Sequence, residues 1–272
     1  MSRRASLYKT ADELQLLVAP GLATAASLAA VRRGIRAGVT TLELDALAER
    51  AIRDLGGEPN FMLEPGYRHT ICASVNDAVV HGVPTDRPLE PGDVVSIDSG
   101  AMIGGWNGDA AFTVVVPDPS RPELVAERQA IADATERALW SGIAALATAR
   151  HLNEIGGPIE DAAADYGIIE DFTGHGIGRS MHEDPPVFNY RVRERGPAVK
   201  PGLVVAIEPM FTMGTIETHT LDDDWTIVTD DGGVAAHWEH SVAVHAGGIW
   251  VLTAEDGGEA GLLPYGVTPV RM

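Results

Sequence analysis

The sequence predicts an α+β fold of two pseudo-two-fold duplicated halves, with a central antiparallel sheet covered by helices on one face. Three observations carry this. Pro91-Gly92-Asp93-Val94-Val95-Ser96-Ile97-Asp98 and Pro201-Gly202-Leu203-Val204-Val205-Ala206-Ile207-Glu208 repeat one pattern 110 residues apart. In each, a Pro-Gly turn feeds a short apolar strand that ends on a carboxylate. Two helical segments precede each copy, and the glycines closing the second of each pair, Gly56 and Gly167, lie 111 residues apart. No Pro/Ser-rich linker separates the halves, so residues 11–272 read as one domain behind a short mobile tail, residues 1–10.

The elements follow from local pattern. Leu14, Leu17, Leu28, Val31 and Ile35 form a helical stripe over residues 12–37, with a break expected at Pro20-Gly21. Thr40-Thr41-Leu42-Glu43 is a capping box. It opens a helix carrying Leu44, Leu47, Ala51, Ile52 and Leu55, which Gly56-Gly57 closes. Residues 70–117 read as strands and tight turns. Residues 121–148 form a long amphipathic helix and 152–166 a second. Strands follow at about 168–173, 203–213, 225–229 and 234–245.

Bulk properties bound the function. A formal net charge of −19 opposes nonspecific attachment to nucleic acid or an anionic membrane. The single cysteine, Cys72, excludes an internal disulfide. The basic start, Met1 to Ser6, has no apolar segment behind it, and no stretch near 18 apolar residues stands out. The reading is a cytoplasmic protein, monomeric, with no membrane contact and no direct nucleic-acid binding.

The chemistry lies in scattered acids and imidazoles. A buried Val/Ile run does not end on a charge without compensation, yet Asp98 and Glu208 both end such runs. A Gly-rich turn before Asp109 makes a hairpin that can bring Asp109 opposite Asp98; Asp109 as a plain turn residue is the bland alternative. His175 stands between glycines in Gly174-His175-Gly176-Ile177-Gly178, which lets the backbone approach something closely. Glu239 lies in an alternating strand with His237, Ser241 and Ala243 on its face. Four carboxylates and one imidazole cannot share a pocket as bare anions. Two divalent cations neutralise four charges, and the oxygen-rich donor set suits Mn, Fe, Co or Zn. His81, beside Gly82, and His182 have no evident structural task and could hydrogen-bond a scissile amide and its oxyanion. His69, His151, His219, His237, His240 and His245 read as surface or core packing.

These motifs in order resemble the methionine aminopeptidases: Asn76-Asp77-x-Val79-x-His81-Gly82-x-Pro84, Asp98, Gly108-Asp109, Gly174-His175-Gly176-Ile177-Gly178-Arg179-x-x-His182-Glu183, Ile207-Glu208-Pro209-Met210 and Trp238-Glu239-His240. The likeness runs from about residue 12 to 253. It implies the pita-bread fold and removal of the initiator methionine from nascent proteins with a small second residue, by a metal-bridging hydroxide attacking the scissile carbonyl. It implies two divalent ions (Co, Mn, Fe, Zn or Ni) on Asp98, Asp109, His175, Glu208 and Glu239, with Asp109 and Glu239 bridging. Glu208 doubles as acid/base, and His81 and His182 face the substrate. Tyr67, Cys72, Met181 and Trp225 line the methionine pocket, where Cys72 as a plain buried thiol is the bland reading. Nascent N-termini near the ribosome are the implied partners. The short interval from Glu208 to Glu239, 31 residues, lacks the helical insertion of type II enzymes and resembles type I. The change to Ala110-Ala111 after Asp109, where relatives often have Ser or Thr then Arg, has no account at this level. An Xaa-Pro peptidase and a metal-free binding module are the competing readings.

Overall fold

The computed structural model describes residues 7–272. The basic start of the expected tail, residues 1–6, lies outside the described residues. The rest of that tail is held: the Tyr8 hydroxyl donates to the Ala198 carbonyl, the Lys9 amide to the Gly202 carbonyl, and the Lys9 ammonium pairs with Glu183.

The first half begins with helices α1 (Ala11–Leu16), α2 (Val18–Gly34) and α3 (Thr41–Asp54). The break in the first stripe falls at Leu17, not at Pro20-Gly21. Pro20 occupies the first turn of α2, where its missing N–H costs no internal bond. The capping box at Thr40 and Glu43 forms as expected. By length and composition, Ala11–Gly34 could cross a membrane, which the expectation above overlooked; over half of its most apolar window is buried inside the fold. Strands β1 (Glu58–Pro59), β2 (Ile71–Val75), β3 (Ala78–Val80), β4 (Val94–Ile103) and β5 (Trp106–Val115) follow.

The second half repeats the plan with α4 (Pro122–Leu146) and α5 (Gly156–Ala163). Residues 152–155 form a 3-10 turn instead of the first turn of an α-helix. Pro158 cannot sit deep inside a helix, so α5 starts just ahead of it. The strands are β6 (Gly167–Ile168), β7 (Gly174–Gly176), β8 (Glu183–Val187), β9 (Val204–Ile207), β10 (Met210–Thr212), β11 (Thr218–Thr220), β12 (Ile227–Thr229), β13 (Ala235–His237), β14 (Glu239–His245) and β15 (Gly248–Val251), and a short α6 (Glu259–Leu262) follows them. The expected strand at 203–213 is split at Pro209, which has no N–H to give a ladder. The expected strand at 234–245 is split at Trp238. On both sides of these breaks the chain changes sheet: β9 and β14 belong to the large sheet, β10 and β13 to a small one.

The large sheet runs β1-β4-β5-β14-β9-β7-β8, with β2 on β4 and β15 on β14. The two repeated strands, β4 and β9, lie symmetrically about the β5–β14 pair. All pairings in this sheet are antiparallel. The main core forms where α2, α3, α4 and α5 cover the sheet, with Val31, Leu44, Ile97, Phe112, Ile143, Ile159 and Val205 buried together. Burying such side chains is the dominant stabilising term.

Candidate metal centre

Strand register assembles the site in two adjacent rows. Cys72 on β2 faces Asp98 on β4. Asp98 faces Ala111 on β5, and Ala111 faces Glu239 on β14. One step beyond the His240–Ile207 pair, Glu239 meets the level of Glu208 at the end of β9. Two residues along each strand, and so on the same face, a second row holds Gly100, Asp109, Ser241, Ala206 and His175. Asp109 is therefore diagonal to Asp98 and not directly opposite, as the hairpin alone suggested. Ala111 lies between Asp98 and Glu239 in the first row. A methyl group there leaves the space between the carboxylates open, which accounts for one of the two alanines; Ala110 points the other way into the main core.

Close backbone approach fixes His175. A Cβ on Gly174 would lie 2.3 Å from the Ala206 carbonyl oxygen, and one on Gly176 would lie 2.1 Å from that of Asp184. Only glycine permits both contacts. His175 Nδ1 lies 2.9 Å from the Gly176 carbonyl oxygen. A carbonyl only accepts, so Nδ1 carries the proton and Nε2 presents a lone pair. That lone pair faces Glu208 Oε1 at 3.5 Å. Two acceptors at this distance need a cation or a proton between them.

The carboxylates tell the same story. Burial pushes Asp98 up to about 7. Burial, then the charge of Asp98, raises Asp109 and Glu208 well above the usual carboxylate range. Burial, then the charge of Asp109, does the same to Glu239. One oxygen each of Asp98, Asp109 and Glu239 is buried with no hydrogen-bond partner. Ligand atoms of Asp109, His175 and Glu239 lie within 4.8 Å of one another. No lysine or arginine lines the cavity among the described residues. The donors present fit divalent cations: oxygen-rich, one oriented imidazole, and negative charge without a counter-charge.

A cavity of about 140 Å³ collects every residue singled out from the sequence: Tyr67, Cys72, His81, Asp98, Asp109, His175, Met181, His182, Glu208, Trp225 and Glu239. Its apolar wall is a cluster of Phe61, Tyr67, Cys72 and Met181 against Val83 and Trp225. The Tyr67 and Trp225 rings meet edge to face at 5.0 Å, and the Tyr67 hydroxyl donates to the Ile71 carbonyl. Burial pushes the Cys72 thiol well above its usual value, which makes it a poor nucleophile and agrees with the bland reading. His81 holds a left-handed backbone, φ 58°, a conformation uncommon outside glycine that concentrates at working sites. The His182 ring packs edge-on to His175 at 4.5 Å between centroids. Burial lowers both His81 and His182, so each is a neutral ring with one N–H to give.

Three neighbours escaped sequence reasoning. Phe61 and Glu64 reach the cavity from a 3-10 turn, which has no periodic signature. His237, read as plain packing, is buried with Nε2 3.8 Å from Glu208 Oε2. Its signal was present in the alternation that set it on the face of Glu239. His240 does belong to the packing: its ring lies on Trp140 and against the Thr253 hydroxyl, on the far side of the strand.

Comparison with known proteins gives the class. Residues 17–246 match the model of metallopeptidase family M24. The chain is 45% identical over 260 residues to methionine aminopeptidase 1 of Mycobacterium tuberculosis, spanning 92% of this chain and 96% of the relative. It is 37% identical over 249 residues to methionine aminopeptidase 1 of Bacillus subtilis, spanning 91% and 98%. The crystal structure of a methionine aminopeptidase from Thermotoga maritima superimposes with a TM-score of 0.85 at 33% identity, covering 91% of this chain and 99% of that one. A curled antiparallel sheet under helices, with acids at its centre, is thus a metallopeptidase fold of the pita-bread kind. The chain belongs to metallopeptidase family M24, whose members use divalent metal.

Proposed function

We propose that this protein is a type I methionyl aminopeptidase that removes the initiator methionine from nascent proteins with a small second residue. The observation that carries the reading is the convergence of three buried carboxylates, the partly buried Asp98 and one oriented imidazole on a single cavity with an apolar wall. Asp98, Asp109, His175, Glu208 and Glu239 would hold the divalent metal, two ions of the Co, Mn, Fe, Zn or Ni group on this reading. Bound there, the metal would acidify a water and polarise the scissile carbonyl. The chain does the rest. Tyr67, Cys72, Met181, Trp225 and Phe61 enclose the methionine side chain and exclude water from it. His81 and His182 give their N–H groups to the scissile amide and its developing oxyanion. Glu208 takes on a carboxylate oxygen the proton given up by the water that adds to the scissile carbonyl, and returns it to the departing amine as the C–N bond breaks. The cramped cavity favours a small second residue. Cytoplasmic nascent chains near the ribosome are the substrates of this reading, and the working form is a monomer, which sedimentation tests.

The deciding experiment offers purified, metal-loaded protein Met-Ala-Ser and an Xaa-Pro dipeptide side by side. Release of methionine from the first and no cleavage of the second is the expected result. Cleavage of only the second, or of neither with full metal occupancy, refutes the proposal.

A further inference from the structure

His237 is buried to 1% exposure and does not line the cavity. It stands behind Glu208, with its Nε2 3.8 Å from Glu208 Oε2. That nitrogen is sealed from solvent and has no hydrogen-bond partner. An orphaned buried ring nitrogen costs stability, so its persistence against one carboxylate oxygen asks for a reason. The backbone around it is tightly specified. The His237 amide donates to Thr113 Oγ1 at 3.0 Å, and the Thr113 hydroxyl donates back to the His237 carbonyl at 2.7 Å. Ser96 closes the same knot through its 2.8 Å contact with Thr113. His237 also pairs across the small sheet with Met210, two residues after Glu208. On the other side of Glu208, the buried Asn189 amide donates to the Glu208 carbonyl. Glu208 thus has its main chain held by Asn189 and one side-chain oxygen faced by His237.

We propose that His237 is a positioning residue: its Nε2–H is aimed at Glu208 Oε2 and sets the carboxylate plane, leaving Oε1 turned toward the cation position beside His175. The gap is only slightly longer than a hydrogen bond, roughly 2.7–3.2 Å, and it closes when Oε1 is engaged. This rests on the metallopeptidase reading of Glu208. Groups that orient a metal-binding side chain from behind typically change metal affinity or activity by roughly 10–100-fold when lost.

The test compares H237Q, which keeps an N–H donor near the same place, with H237L, which has none; H237F replaces H237L if the latter does not fold. Mn²⁺ affinity of metal-stripped protein is measured by calorimetry, and kcat and KM on Met-Ala-Ser are measured separately. For H237L, Mn²⁺ affinity and kcat should each fall roughly tenfold or more, with KM little changed. For H237Q both should stay within about threefold of the parent. H237L matching the parent in Mn²⁺ affinity and kcat overturns the proposal. So does H237Q as damaged as H237L, because a lost ring and not a lost donor would then be responsible. If the parent itself releases no methionine, the peptidase reading fails, while the Mn²⁺ titrations still judge His237.

Discussion

Glu239 is 2% exposed and lies near Asp109 and Glu208 in a cavity that, among the described residues, no lysine or arginine lines. Burial and the charge of Asp109 make its ionised form costly, so a neutral amide relieves that cost, and on the proposed reading it also removes a metal ligand. For E239Q we expect opposite shifts in two melts: the metal-free protein gains about 1 kcal/mol, roughly 2–4 °C in Tm, and the gain on adding Mn²⁺ or Co²⁺ disappears. Thermal melts with EDTA and with metal check both signs. His240 lies off the cavity, against Trp140 and Thr253. Burial pushes it down to about 4, against about 6.5 in an unfolded chain. Between those values the unfolded state binds a proton that the folded state refuses, so stability falls as pH drops through that window. The contribution is on the order of 2–3 kcal/mol by pH 4. Urea titrations at pH 7 and 4.5 should show a smaller acid loss for H240Q than for the parent. An equal loss would mean that the ring is protonated when folded.

Among the elements, the segment before α1 matters more than its length suggests. Lys9 and Glu183 form an ion pair in which the side chains are 7% and 18% exposed. Glu183 also accepts from the Ser180 amide, so Lys9 anchors the turn that carries Met181 and His182. K9M should cost about 1–3 kcal/mol and raise KM for Met-Ala-Ser several-fold, with K9R restoring it. Unchanged KM in K9M would show that the turn holds itself. Elements also set how much was readable in advance. The capping box at Thr40 and the two Pro-Gly turns are contiguous signals whose physics is local, and both formed as expected; of the strands they feed, β9 stops just before Glu208, but β4 runs on to Ile103, so Asp98 lies inside its strand and not at the end. β7, β8, β11 and β15 were missed because they are short, rich in Gly, Pro and Thr, and defined by their partners. All eleven residues named from the sequence face one cavity; the acids and histidines stood out because their chemical type was out of place in its setting, whereas Tyr67, Cys72, Met181 and Trp225 came only through the family resemblance. Phe61 and His237 looked ordinary in sequence and became notable only through the neighbours that folding gave them.

At the scale of the whole molecule, the helices of both halves bury into one core spanning the sheet. We therefore expect residues 11–272 to unfold in a single cooperative step, with calorimetric and van't Hoff enthalpies in agreement. Divalent metal should raise Tm in proportion to the logarithm of its concentration above Kd, worth about 2.7 kcal/mol at one hundred times Kd. Two separate transitions, or a Tm indifferent to metal, would contradict this.

The seam between β5 and β14 has one more implication. Asp98 and Asp109 arrive on one half of the chain, and His175, Glu208 and Glu239 on the other, meeting only where those two strands zip together. A polypeptide severed in the turn at 117–121 would yield two pieces with two and three donors. On the proposed reading neither piece holds the full donor set, so recovered hydrolysis would serve as a direct gauge of how faithfully the pieces reunite.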